Sequence, residues 1–256
     1  RWAENKVVIL RRKLLVGYLV FVHILLALIL IKSDFLVKVG DRLGIRRNTE
    51  PEITQHFERM VKYHESIDPN VPAGSAIFIG DSIIQGLCVS AVSTPSINYG
   101  IGSDTTLGVL KRLSKYRSLQ QASIVIFEIG VNDLKRRKDE DILCNYSSIL
   151  SQLPSHLPAV VSGILPVNEA IAKDLKGYNL RITRLNAGLK ALCEARKPKC
   201  SFVDSSQGLI DSDANLSAKY QRGDGVHLNG TGNAIWIQEL KNAIKTAQQP
   251  HAPDRQ

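Results

Sequence analysis

The chain has 256 residues, 44% of them hydrophobic, which is enough for one ordinary domain with a sizeable core plus an appendage. The formal net charge is +9, but residues 1–50 hold 10 Lys/Arg against 4 Asp/Glu, so only +3 falls on the remaining 206 residues. A basic stripe on the domain itself, the footprint expected of a nucleic-acid-binding protein, is therefore missing, and that class of partner is disfavoured.

Residues 1–13 form a basic flank ending in Arg11-Arg12-Lys13. Leu14 to Ile31 then runs for 18 residues without a formal charge, closed by Lys32. At 1.5 Å per residue this is about 27 Å of helix, close to the thickness of a bilayer's hydrocarbon core. It predicts a single transmembrane anchor, longer than a signal-peptide core and followed by no small-x-small cleavage site. The basic residues abutting its N-terminal side put the N-terminus in the cytoplasm, diluted by Arg42, Arg46 and Arg47 beyond it. The expected location is the inner or plasma membrane, with the domain on the periplasmic or extracellular side. Residues 32–50 read as a juxtamembrane linker.

A domain is expected over 51–247, with 248–256 as a tail. Ile53, Phe57, Met60, Val61 and Ile67 recur at helical spacing, and Asp68-Pro69-Asn70-Val71-Pro72 ends that helix. From Ala76 onward apolar runs alternate with helical stretches. Strands are expected at 76–79, 96–98, 124–129, 159–165 and 201–203. Helices are expected at 83–89, 105–116, 139–152, 179–195 and 230–247. Near-continuous apolar strands separated by helices predict an α/β fold, a flavodoxin-like doubly wound sheet of about five parallel strands with helices on both faces. Lys135-Arg136-Arg137-Lys138 beside Asp139-Glu140-Asp141 reads as a solvated loop and helix start. Cys88, Cys144, Cys193 and Cys200 make no C-x-x-C pair and have no histidine at ligand spacing, which argues against zinc. Disulfides in an exported domain, with Cys193 and Cys200 the best-placed pair, stand beside four buried free thiols as alternatives.

The first strand stops at Gly80, and Asp81-Ser82 follow where a helix begins. A serine there sits at the edge of the sheet where open α/β folds bind ligands, with its N–H at a helix N-terminus. A nucleophilic serine needs a base, and the base an orienting group. Of six histidines, His23 lies in the expected anchor, His56 and His64 on the first domain helix, His156 between two prolines and His251 in the tail. His227 remains, three residues after Asp224 on a Gly-containing turn. Oxyanion donors are also needed. Candidates are the Ser82 N–H, Asn132 after the third strand, and a backbone N–H of the turn Gly100-Ile101-Gly102-Ser103-Asp104-Thr105.

Four features at four strand ends, in this order, make the sequence resemble the SGNH/GDSL hydrolase family of esterases and lipases. Gly80-Asp81-Ser82 is similar to its first block, Gly100 to Thr106 to its second, Gly130-Val131-Asn132-Asp133 to its third, and Asp224-x-x-His227 to its last. The second block most resembles the platelet-activating-factor acetylhydrolase-like branch. The resemblance implies Ser82 as nucleophile, His227 as general base and acid, Asp224 as its orienter, and an oxyanion hole from Ser82, Asn132 and the Gly102–Ser103 turn. One position departs: Ser103 stands where the family usually has Gly, which keeps a backbone N–H but would not tolerate glycine-only dihedrals. No metal or organic cofactor is implied. The expected activity is hydrolysis of a small ester, a lipid ester or an acylated glycan by a membrane-anchored serine esterase. The alternative is an O-acyltransferase acting on a cell-envelope glycan with the same three residues. A tethered binding module is disfavoured by the complete set of site residues. A nucleotide-binding domain is disfavoured because neither G-x-G-x-x-G nor a P-loop follows the first strand.

Overall fold

Three strands set the architecture, because every position of each is buried: Ala76–Gly80 (β1), Ile124–Glu128 (β3) and Ala159–Ser162 (β4). Strands covered on both faces are the signature of a parallel sheet wrapped by helices. The computed structural model describes residues 2–32, 53–196 and 199–248, and the side chains of these except 2–10 and 29–32. With Ser96–Gly100 (β2) and Cys200–Val203 (β5), the sheet is five-stranded and parallel throughout, in the order β2-β1-β3-β4-β5. All five expected strands are present. β4 stops at Ser162 rather than Leu165, because the chain leaves the sheet at Gly163, whose N–H donates to Val203 O at 2.8 Å.

The chain divides into two units, residues 1–51 and 52–256. In the first, helix α1 spans Trp2–Lys32. Its side chains from Arg11 to Leu28 are all exposed, Leu14, Tyr18 and Phe21 among them. The anchor expected at 14–31 is not recovered: among the described residues no helix is long and apolar enough to cross a membrane. Residues 33–50 of the linker expected at 32–50, and 249–256 of the tail expected at 248–256, lie outside the described residues.

The second unit opens with α2, Gln55–Ile67, capped by Thr54, whose hydroxyl accepts from Phe57 N–H at 3.1 Å. It buries Phe57, Val61 and His64, one per turn. The helices that follow are α3 (Ser82–Gln85), α4 (Thr106–Leu113), α5 (Asp139–Ser151), α6 (Tyr178–Ala195) and α7 (Gly230–Ala247). α3 is one turn long where a helix over 83–89 was expected. Gly86 ends it, and Asn98 secures the end by donating to Ile84 O at 2.7 Å and Leu87 O at 3.1 Å. Cys193 and Cys200 are disulfide-bonded, tying the last turn of α6 to the start of β5. Cys88 and Cys144 are free and exposed, which corrects the reading of four buried thiols.

Candidate active site

In a 2-1-3-4-5 sheet the strand order reverses between β1 and β3, and ligands bind in the crevice beyond their C-terminal ends. Register places Gly80 at the end of β1 beside Gly100 of β2 on one side and Glu128 of β3 on the other. The segments carrying Ser82, the Gly102–Ser103 turn and Asn132 therefore all leave the sheet at one edge. The approach is tight: a Cβ at residue 80 would lie 2.0 Å from Glu128 O, so only glycine fits there.

Asp81 turns the chain from strand to helix. Its Oδ1 accepts from Ile83 N–H at 2.9 Å as the N-cap of α3. Ser82 is then the first residue of that helix, and its N–H has no acceptor within the helix. Asp81 Oδ2 and both Glu128 carboxylate oxygens are buried without a partner among the described residues. Burial raises both carboxyls above the usual range; the Asp81 charge pushes Glu128 further, and Asp104 and Asp133 push Asp81 further.

His227 arrives from 145 residues away, and its Nε2 stands 2.7 Å from Ser82 Oγ. Its Nδ1 faces Asp224 Oδ2 at 2.8 Å. The other Asp224 oxygen accepts from the N–H groups of Val226 and His227, both at 2.9 Å. Partial burial pushes the Asp224 carboxyl up, but the hydrogen bonds from these two amides and the imidazole outweigh it and hold it below the usual carboxylate range. The turn is braced from within. Gln221 Oε1 accepts from Gly225 N–H at 3.0 Å and from Gly223 N–H, Arg222 N–H donates to His227 O at 3.0 Å, and Gln221 bridges Leu228. Gly225, at φ +77°, carries no side chain because a Cβ would lie 2.9 Å from Asn168 O. Its own carbonyl accepts from Asn168 N–H at 2.7 Å.

The other expected site residues are held by a network that sequence reasoning missed. Asn132 donates from Nδ2 to Asp104 O at 3.0 Å, which leaves the second amide hydrogen for a ligand. Asp133 accepts from Thr106 N–H and Thr106 Oγ1, the latter at 2.6 Å, so the second and third blocks are clasped together. Behind them lies Arg112, fully buried. It donates to Gly80 O at 3.1 Å, Tyr99 O at 2.8 Å, Tyr116 Oη at 2.9 Å and Asp104 Oδ2 at 2.9 Å. One guanidinium thus ties the ends of β1 and β2 to the Asp104 turn. Burial pushes Asp104 up to about 6 against the pull of Arg112. The signal for Arg112 was a cation beside Val109 and Leu113 on the apolar face of a helix. Ser103 adopts φ +64°, the left-handed conformation that glycine prefers, so the departure from glycine costs about 1 kcal/mol rather than reshaping the turn. Gly102, next to it, faces α3: a Cβ there would lie 3.0 Å from Gln85 Oε1.

A cleft of about 410 Å³ opens over Ser82 and His227. Gln85, Arg222, Asn229 and Asn233 give it polar walls, with Ile83 and Leu228 the apolar ones. Among the described residues no group of three or more His, Cys, Asp or Glu side chains is placed to hold a metal ion.

Residues 78–235 match the model of the GDSL-like lipase/acylhydrolase family. The chain is 28% identical over 206 residues to the bovine platelet-activating factor acetylhydrolase IB subunit alpha1, covering 75% of this chain and 85% of that one. A GDSL-like lipase from Bacteroides thetaiotaomicron superposes with a TM-score of 0.65 at 22% identity, covering 73% of this chain and 98% of that one. An acetylxylan esterase from Geobacillus stearothermophilus superposes with a TM-score of 0.55 at 16% identity, over 67% of this chain and 94% of that one.

Proposed function

The chain belongs to the GDSL-like lipase/acylhydrolase family and is a serine ester hydrolase, and on that premise we propose that it cleaves a short-chain carboxylic ester, acetyl above all, through an acyl-enzyme on Ser82. The observation that carries this reading is the continuous relay from Asp224 Oδ2 to His227 Nδ1 at 2.8 Å and from His227 Nε2 to Ser82 Oγ at 2.7 Å. Ser82 Oγ attacks the carbonyl carbon while His227 Nε2 takes its proton. The developing oxyanion accepts from Ser82 N–H, the second Nδ2 hydrogen of Asn132 and a backbone N–H of Gly102 or Ser103. The protonated imidazole then gives its proton to the departing alcohol oxygen. Water, deprotonated by the same nitrogen, releases the acid. Short acyl groups are favoured by the acetyl esters named for the bovine and Geobacillus proteins.

The same reading includes membrane attachment through the uncharged run 14–31, with the hydrolase unit on the periplasmic or extracellular side. Its support is the length of that run in the sequence, the exposure of its side chains from Leu14 to Leu28, and the Cys193–Cys200 disulfide, which suits an oxidising compartment. Recovery of the full chain in the soluble fraction after lysis, at every salt concentration, refutes this part.

The test of the chemistry is turnover of p-nitrophenyl acetate and butyrate by the full chain, with fluorophosphonate labelling. Ser82→Ala is expected to lose both. A folded wild-type chain that neither labels nor turns over, or a Ser82→Ala variant that keeps wild-type turnover, refutes the reading.

A further inference from the structure

The cleft over Ser82 extends along the His227 turn through Arg222, Leu228, Asn229 and Asn233, and borders Gly102 through Gln85. It is lined by Ser82 and His227, but by neither the Gly102–Ser103 turn nor Asn132. The acyl oxygen must point toward those donors, whereas the departing alcohol oxygen must lie against His227 Nε2, which protonates it. The cleft is therefore where the alcohol half of the ester lies. Two of its polar side chains are already engaged: Asn229 caps Gly232 N–H at 3.0 Å and donates to Lys219 O at 2.8 Å, and Asn233 leans on Leu228 O at 3.4 Å. Gln85 and Arg222 differ from them. Neither side chain has a hydrogen bond or ion pair among the described residues, and Arg222 is the only fully charged residue of the lining. The nearest carboxylate in sequence, Asp224, has both oxygens committed to the His227 turn. The Arg222 backbone is held beside the general base, since its N–H donates to His227 O at 3.0 Å, while its side chain is exposed.

We infer that Arg222 is a specificity-determining residue and that the preferred substrate is an ester whose alcohol half carries an anionic group, a carboxylate or a phosphate. The inference rests on the serine-esterase reading and names the substrate class of that site. A guanidinium pairs with either anion through two parallel N–H donors, and the attraction adds to binding before and during acyl transfer, so it is read chiefly in KM.

The experiment compares 4-acetoxybenzoate with its methyl ester, two acetyl esters that differ in one charge on the alcohol half, using the full chain, Arg222→Gln and Arg222→Lys. The wild type is expected to prefer the anion in kcat/KM by about tenfold, and Arg222→Gln to remove that preference. Arg222→Lys is expected to keep part of it. In the wild type the KM for the anion is expected to rise with added NaCl, a dependence lost in Arg222→Gln. An equal preference for the two esters in wild type and Arg222→Gln overturns the inference, as does a preference that survives the substitution. Hydrolysis of the neutral ester, with Ser82 labelled, in either of these cases shows that the esterase reading stands while the anion reading falls. Failure of both turnover and labelling overturns the esterase reading, and the inference with it.

Discussion

Replacing Asp224 by Asn tests whether His227 depends on a carboxylate or only on a polar neighbour. The side chain keeps its size, and its oxygen stays with the Val226 and His227 N–H groups, both 2.9 Å from Asp224 Oδ1. The new NH2 then occupies the position of Oδ2, 2.8 Å from His227 Nδ1. An amide NH2 cannot accept, so Nδ1 must become the acceptor and the ring's single proton moves to Nε2. That nitrogen faces Ser82 Oγ and can no longer take its proton. In a buried triad the same change costs about 10⁴-fold in kcat. Here the Asp224 side chain is 46% exposed. Water competes for Nδ1, so the expected loss in kcat/KM is smaller, about 10²- to 10³-fold. Asp224→Ala leaves the tautomer to water and is expected to lose less activity than Asn but more stability, because two turn amides lose their acceptor. The assay is p-nitrophenyl acetate turnover beside thermal melts for both variants. Asn that keeps half of wild-type kcat/KM, or that outperforms Ala with both folded, refutes the role given to Asp224.

Two further outcomes concern stability. Arg112→Met is expected to cost about 3–5 kcal/mol, read by urea unfolding, because it strands the buried carboxyl of Asp104 and the carbonyls of Gly80 and Tyr99. His64 is 1% exposed, its Nδ1 is 3.1 Å from Tyr116 Oη, and burial, helped by Arg112, lowers it from 6.5 to about 4. The unfolded chain binds that proton more readily between those values, so this contribution is complete above pH 6.5 and lost as pH falls toward 4. Unfolding free energies at pH 7 and 4.5 are expected to fall by about 2 kcal/mol more in the wild type than in His64→Phe, and equal falls refute the assignment. The raised Asp104 works in the opposite sense, its contribution complete below pH 4 and lost as pH rises through about 6, and it is common to both proteins.

Much of the fold was legible because parallel strands buried on both faces read as apolar runs, and all five were found within a few residues. Their ends were less legible. β2 extends two residues past Asn98, since Tyr99 and Gly100 pair with Ile79 and Gly80. A tyrosine-glycine pair carries no strand signal of its own. The relay was legible because only His227 was free of another evident role and a carboxylate stood three residues before it. The supporting network was not. Arg112, Asn98 and Asp133 act through main-chain atoms and partners brought together by the sheet, and their residue types read as solvated or turn-forming in isolation. The anchor at 14–31 shows the opposite limit. An uncharged run is visible at once in sequence, but whether a bilayer receives it depends on surroundings that neither the periodicity nor the described helix supplies.

The two halves of the relay are positioned by networks that share no residue. Ser82 is set by Gly80, Asp81 and the Arg112 guanidinium, all anchored on β1 and β2. His227 is set by Gln221, Asp224 and Asn168, on loops that follow β4 and β5. The contact between them is a single hydrogen bond of 2.7 Å. Loss of one network's hydrogen bonds displaces one member of the relay while those that hold the other remain. The arrangement also explains why the alcohol side of the cleft belongs to the His227 turn. Arg222 flanks the base in sequence and lines the cleft beside it, whereas the Gly102–Ser103 turn and Asn132 follow β2 and β3.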